Sequence, residues 1–230
     1  YLKCIDVSDP SNPTVVGSLD LSAQLEDISV VGTTAYITAQ TDGFFAADVT
    51  DPTAPALLGS IDTSGSALGV AVDGTVAFVA DGWSGLQLVD VSDPTSPALL
   101  GLSTTPGYAR DVDVEGTVAY VGDGTSGLTL VDVGDPSNPT ILMSVATDGD
   151  PVGVAITGSI AAVAERGVTS KWSFDFTSRS GVEIFDLSTP TAPLSMARFD
   201  THGFAFQTAV SGTIGFVANG SEGLRVVDLS

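Results

Sequence analysis

The chain has 230 residues, of which 28 are acidic and 7 basic, for a formal charge of −21 at pH 7. Attraction to a polyphosphate backbone runs through lysine and arginine, so this balance excludes nucleic-acid binding by general electrostatics. The single cysteine, Cys4, excludes an internal disulfide and a cysteine zinc site, while 43% hydrophobic content against 15% charged is enough apolar material for a packed core.

The first predicted elements are two strands, 2–7 and 15–19, joined by a turn that carries Asp6, Asp9 and Pro10. The same pattern then returns along the chain. Leu86-Gln-Leu-Val-Asp-Val-Ser-Asp-Pro94 recurs as Leu128-Thr-Leu-Val-Asp-Val-Gly-Asp-Pro136, with variants at 44–52 and 182–190 and partial copies at 2–10 and 224–230. The shared aspartates Asp6, Asp48, Asp90, Asp132, Asp186 and Asp228 are spaced by 42, 42, 42, 54 and 42 residues. Gly32, Gly74, Gly116, Gly158 and Gly212 keep the same step. One unit therefore has 42 residues, and the fourth copy carries 12 more within 165–180.

Each unit reads as four short strands, A to D. In the third they fall at 110–114, 118–121, 128–133 and 141–145, between clusters of Gly, Asp, Asn and Pro. No segment shows a capped helical apolar period. A unit of 40–45 residues with four strands is the signature of a propeller blade, whose two apolar faces pack against its neighbours. The expected fold is an all-β propeller of four-stranded antiparallel blades, one domain over 1–230 with about five blades visible. Six C strands against five of each other type leave two closures open: five blades completed by strands from both ends, or an arc of a six- or seven-bladed ring.

The core Leu128-Thr-Leu-Val-Asp-Val, followed by Asp135-Pro136 and Pro139 and preceded by Thr117-Val-Ala-Tyr-Val-Gly and Gly127, resembles the LVIVD repeat. The resemblance covers essentially the whole chain apart from the insertion. It implies a β-propeller of the kind found in bacterial and archaeal surface or secreted proteins, and little about chemistry. The fourth unit departs from the pattern, with Thr189 where Asp9, Asp51, Asp93 and Asp135 stand.

Several motifs bear on chemistry. Gly122-Asp-Gly-Thr-Ser-Gly127 matches a dinucleotide fingerprint in letters only, because a strand and not a helix follows it. Asp111-Val-Asp-Val-Glu-Gly116 opens like a calcium loop but has Gly122 at the twelfth position. Asp148, Asp150 and the acidic B–C turns leave calcium as an alternative to local turn hydrogen bonds; otherwise no cofactor and no metal is expected. The repeated C–D pairs such as Asp90 and Asp93 read as turn formers, since catalysis needs such a pair once. His202 is the only histidine, and no G-x-S-x-G nominates a nucleophile for it.

Two groups stand out as candidate sites. The entrances of the A strands place Glu26, Leu68, Arg110, Val152 and Phe206, then Asp27, Gly69, Asp111, Gly153 and Gln207, around one channel mouth. The insertion gathers Arg166, Lys171, Trp172, Phe174, Phe176 and Arg179 as a candidate partner-binding surface, because arginine and aromatic residues dominate interface centres. The aspartate excess, 23 of the 28 acids, suits a secreted or cell-surface protein. No stretch is long enough for a membrane span; 152–164 is the longest weakly polar run. The functional expectation is a non-enzymatic extracellular or cell-surface module for structure, adhesion or protein interaction, with a protein partner or a second copy of itself as ligand and a surface polysaccharide as a further class. The alternatives are a hydrolase or lyase working at the channel mouth, and an accessory domain of a larger surface protein.

Overall fold

The structure is a computed structural model that describes residues 1–167, 180–201 and 203–229. Strands β1 (Leu2–Asp6) and β2 (Thr14–Leu19) form a two-stranded sheet. Four complete antiparallel blades follow. They are β3 (Asp27–Val31), β4 (Thr34–Thr38), β5 (Phe44–Asp48) and β6 (Ala56–Ile61); β7 (Gly69–Asp73), β8 (Val76–Ala80), β9 (Leu86–Asp90) and β10 (Ala98–Ser103); β11 (Asp111–Glu115), β12 (Val118–Gly122), β13 (Leu128–Asp132) and β14 (Thr140–Val145); and β15 (Asp150–Thr157), β16 (Ile160–Arg166), β17 (Gly181–Asp186) and β18 (Leu194–Asp200). A fifth blade contributes β19 (Gln207–Ser211), β20 (Ile214–Ala218) and β21 (Leu224–Asp228). The architecture is a five-bladed β-propeller. The inner strands β3, β7, β11, β15 and β19 line one channel of about 460 Å3, and no α-helix occurs among the described residues.

Local chemistry explains the unit. The step from the first to the second strand of each blade is a two-residue hairpin. Its glycine (Gly32, Gly74, Gly116, Gly158 or Gly212) holds φ between +56° and +61°, which a side chain would resist. The C–D turn is an Asx turn: Asp90 Oδ1 accepts from the Ser92 amide at 2.8 Å, and Asp93 Oδ1 from the Thr95 amide at 3.0 Å and its hydroxyl at 2.6 Å. The same bonds recur at Asp6 and Asp9, Asp48 and Asp51, and Asp132 and Asp135. The register shifts once in every C–D pairing. Gly101 of β10 then lies against the next unit's C–D turn, where a Cβ would meet the Pro136 carbonyl at 2.3 Å. The corresponding residue of β14 is Met143, and the turn of the fourth unit is the one with Thr189 in place of aspartate.

The core is divided into slabs between sheets. Phe78, Leu86 and Leu88 of the second blade meet Val112, Val121 and Val131 of the third. Tyr120, Leu128 and Leu130 of the third meet Val154, Val163 and Phe185 of the fourth. Equivalent clusters join the first and second blades and the fourth and fifth. Leu2 and Leu19 of the two-stranded sheet pack on Ala35, Ile37 and Ala47 of the first blade. Each slab removes apolar side chains from water at about 25 cal/mol per Å2 of buried surface.

Of the two closures the sequence leaves open, the one that completes a single blade with strands from both ends is not formed. Strands from the two ends do not complete one blade: β1 pairs with β2, and β21 pairs with β20. The reason lies in the repeat itself. Leu2–Asp6 and Leu224–Asp228 are copies of the same C strand, and both cannot occupy the one place beside β20. The place is taken by β21, while the slab around Leu2 holds β1 against the first blade.

Candidate functional site

The channel mouth is built by the first residues of the inner strands and those just before them. A cavity of about 410 Å3 is lined by Glu26, Asp27, Leu68, Gly69, Arg110, Asp111, Val152, Phe206 and Gln207, with Arg166 added from β16. The structure thus brings Glu26, Asp27, Arg110, Asp111, Phe206 and Gln207 to one opening. Gly153 lies just behind them. Of the six residues assigned to the insertion surface, Arg166 is at this mouth. Lys171, Trp172, Phe174, Phe176 and Arg179 lie outside the described residues, as does His202.

Inside the opening, large and small residues alternate: Asp27, Gly69, Asp111, Gly153, Gln207. A Cβ on Gly69 would meet the Asp111 Cα at 2.6 Å, and one on Gly153 the Gln207 Oε1 at 2.4 Å. The glycines leave room for their neighbours to reach across blades. Asp27 Oδ2 accepts from the Val70 amide at 2.9 Å, and its Oδ1 from Ile28 at 2.8 Å. Asp111 Oδ2 accepts from Val154 at 2.7 Å and its Oδ1 from Val112 at 2.9 Å. One level deeper, Asp113 bonds the amides of Ile156 and Val114. Burial pushes the Asp111 carboxyl up to about 7, and the charge of Asp27 across the channel adds to this. Asp27 and Asp113 are raised too, again by burial first. These carboxylates tie inner strands together and present no free oxygen aimed at a reacting atom.

The B–C corners hold a second set of buried acids. Asp81 accepts from the Thr63 hydroxyl at 2.7 Å and Gln87 Nε2 at 3.3 Å. Asp123 accepts from Thr105 at 2.7 Å, the Gly107 amide at 2.9 Å and Thr129 at 3.0 Å. In the fourth blade this place belongs to Glu165, fully buried and paired with Arg198 Nη1. Burial drives the Glu165 carboxyl up to about 7 against the pull of Arg198, and the neighbouring Glu183 assists the rise. Among the described residues no three His, Cys, Asp or Glu side chains stand together as a metal site.

On the rim beside the mouth lies a pocket of about 390 Å3 lined by Trp83, Tyr108, Arg110, Gly124, Thr125 and Asp150. Paired backbone bonds of 3.0 Å in each direction between Gly82 and Ala109 lock the turn bearing Trp83 to the loop bearing Tyr108. The two rings meet edge to face at 5.2 Å, and the Arg110 guanidinium sits 4.9 Å over Tyr108. Asp150 Oδ2 accepts from Arg166 Nε at 3.0 Å and Nη2 at 2.9 Å, and lies 3.6 Å from Arg110 Nη2. Asp150 and Arg166 face each other because β15 and β16 run on past the length of other inner hairpins. Sequence reasoning passed over Trp83 and Tyr108, and it treated Asp150 only as an oxygen ligand for calcium. The signal was a departure from the repeat: Thr41, Thr125, Gly167 and Ser221 stand where Trp83 does, and Gln24, Ser66, Asp150 and Phe204 where Tyr108 does.

The sequence model of the LVIVD repeat matches residues 1–21, 24–63, 64–105, 106–147 and 202–230. No curated protein sequence matches the chain. Among solved structures, a functionally unknown protein from Desulfotomaculum acetoxidans DSM 771 superposes with a TM-score of 0.76 at 12% identity, over 93% of this chain and 68% of the other. The computationally designed Ika8 protein gives 0.65 at 8% identity over 89% of this chain, which spans 58% of the length of Ika8. The designed Ika4 protein gives 0.57 at 9% identity, over 73% of this chain and 94% of that one. At such identities the likeness is one of fold. The chain belongs to the LVIVD repeat family.

Proposed function

We propose that this member of the LVIVD repeat family is a non-catalytic extracellular or cell-surface module that docks an acidic protein surface, a second copy of itself included, through the channel-mouth face. One observation carries the reading. In a chain of charge −21, Trp83 and Phe206 stand 74% and 55% exposed beside Arg110 and Arg166 on this single face. Aromatic and arginine side chains on a rigid scaffold are the usual anchors of an interface, and Arg110 and Arg166, two of the seven basic residues, offer an acidic partner its points of contact there. The non-catalytic part is supported by the channel carboxylates, which are engaged with backbone amides. Surface or secreted location is supported by the family and by the aspartate-rich composition. Among the described residues no helix is long and apolar enough to cross a membrane.

The test is sedimentation of the full chain over a concentration series at low and high salt. Self-association that weakens with salt, and that is lost in Arg166→Glu and in a variant lacking residues 170–178, supports the reading. A chain that stays monomeric at every concentration removes the second copy as partner, and association indifferent to both variants moves the contact off this face.

A further inference from the structure

The rim pocket carries an inference that does not depend on protein docking. Two of its polar atoms, Asp150 Oδ1 and Arg110 Nε, are buried and have no hydrogen-bond partner among the described residues. One is an acceptor and the other a donor. Buried polar groups are ordinarily paired, so a vacant acceptor and a vacant donor in one pocket mark the functional groups of a ligand. Glycine at 124 keeps the space beside Asp150 Oδ1 free of a side chain: a Cβ there would lie 3.3 Å from that oxygen. Trp83 and Tyr108 meet at an interplanar angle of 75°, and Trp83 is 74% exposed, so indole surface is open to a ligand.

We propose that this pocket binds an acidic saccharide, a pyranose bearing a carboxylate. The apolar face of the sugar ring stacks on Trp83, a ring hydroxyl donates to Asp150 Oδ1, and the carboxylate is received by the Arg110 guanidinium. Charge selects the acid over a neutral sugar. Two guanidiniums, Arg110 and Arg166, converge on one carboxylate, Asp150, so the cluster carries an excess positive charge. The net charge of the molecule opposes this only at long range, because the screening length at physiological ionic strength is about 8 Å. Arg110 is already held by Asp150 and by the Tyr108 ring, so little side-chain freedom is lost on binding.

The experiment is calorimetric titration of the full chain with trigalacturonate, maltotriose and succinate. The expected result is saturable binding of trigalacturonate that weakens with salt, at least about tenfold weaker binding of the other two, and about tenfold loss in Trp83→Ala. Trp83 is exposed, so that variant should fold, and unchanged thermal unfolding confirms it. Arg110→Gln should remove the preference for trigalacturonate over maltotriose. Equal binding of maltotriose overturns the acidic assignment, equal binding of succinate overturns the sugar assignment, and no binding of any probe overturns the site. Trigalacturonate binding unaffected by Trp83→Ala places the sugar elsewhere. These readouts are separate from sedimentation, so the docking reading and this one fail independently.

Discussion

The third and fourth blades solve the same corner in opposite ways. In the third, the carboxylate of Asp123 is received by two hydroxyls and a backbone amide, all neutral. In the fourth, Glu165 meets the guanidinium of Arg198, and Glu183 stands where Thr129 does in the third blade. The neutral corner is a short network closed by the repeat itself. The charged corner sits at the root of the inserted segment, where β16 continues to Arg166 and the tight Asp-Gly turn of the second and third blades is gone. A buried ion pair adds less stability than its geometry suggests, yet breaking it is costly because one charge is stranded. The fourth blade is therefore the more sensitive of the two to losing a single partner.

The sharpest test of that contrast is Arg198→Leu. It leaves the buried Glu165 without its cation and should destabilise the fold by about 3–5 kcal/mol in urea unfolding at pH 7, with part of the loss recovered at pH 5. Asp123→Ala strands neutral donors instead and should cost about 1–3 kcal/mol; because burial raises the Asp123 carboxyl, that loss should not shrink on acidification. An equal loss and an equal pH response in both variants would erase the distinction between the corners.

A pH series comes next in size. Asp111 and Glu165 have folded-state values raised from 3.8 and 4.5 to about 7. Their contribution is complete below those unfolded values and disappears as pH rises through about 7. The exposed turn aspartates Asp6, Asp48 and Asp90 are held below their ordinary range by bonds from Ser8, Thr50 and Ser92, so their contribution is present above pH 4 and disappears on acidification. Thermal stability should accordingly peak between the two, near pH 5, and fall by roughly 5 °C towards pH 8. Glu165→Gln and Asp111→Asn should each flatten the alkaline side. The smallest effect is expected at the repeated turns: Asp93→Ala should lower the melting temperature by only about 1–2 °C, since the turn is solvated and Pro94 and Pro97 already restrict it.

Much of the fold was legible because the information is local and repeated. The 42-residue echo, the paired turn aspartates and the hairpin glycines fixed strand identity, and strands expected at 128–133 and 141–145 appear at Leu128–Asp132 and Thr140–Val145. Closure was not legible, because β1 and β21 carry equivalent sequences and only packing decides which one stands beside β20. The mouth was readable in outline, since the repeat frame assigns its positions, but its internal logic was not. The alternation of Asp27, Gly69, Asp111, Gly153 and Gln207 makes sense only when neighbouring inner strands are close enough for a carboxylate to reach the next blade's amides. The rim pocket was missed because averaging over repeats hides residues that occur once. Trp83, Tyr108 and Asp150 belong to three different units and become neighbours only when those units stand side by side.

The segmented interior has a mechanical corollary. Each slab of apolar side chains is shared by just two adjoining sheets, so a tether pulling on the molecule would meet a row of modest latches in series and no single keystone. Yielding would come in instalments of one unit, releasing 42 residues, or 54 for the fourth unit, which is about 14 nm of extended chain for the regular units, while the sheets not yet reached stay folded.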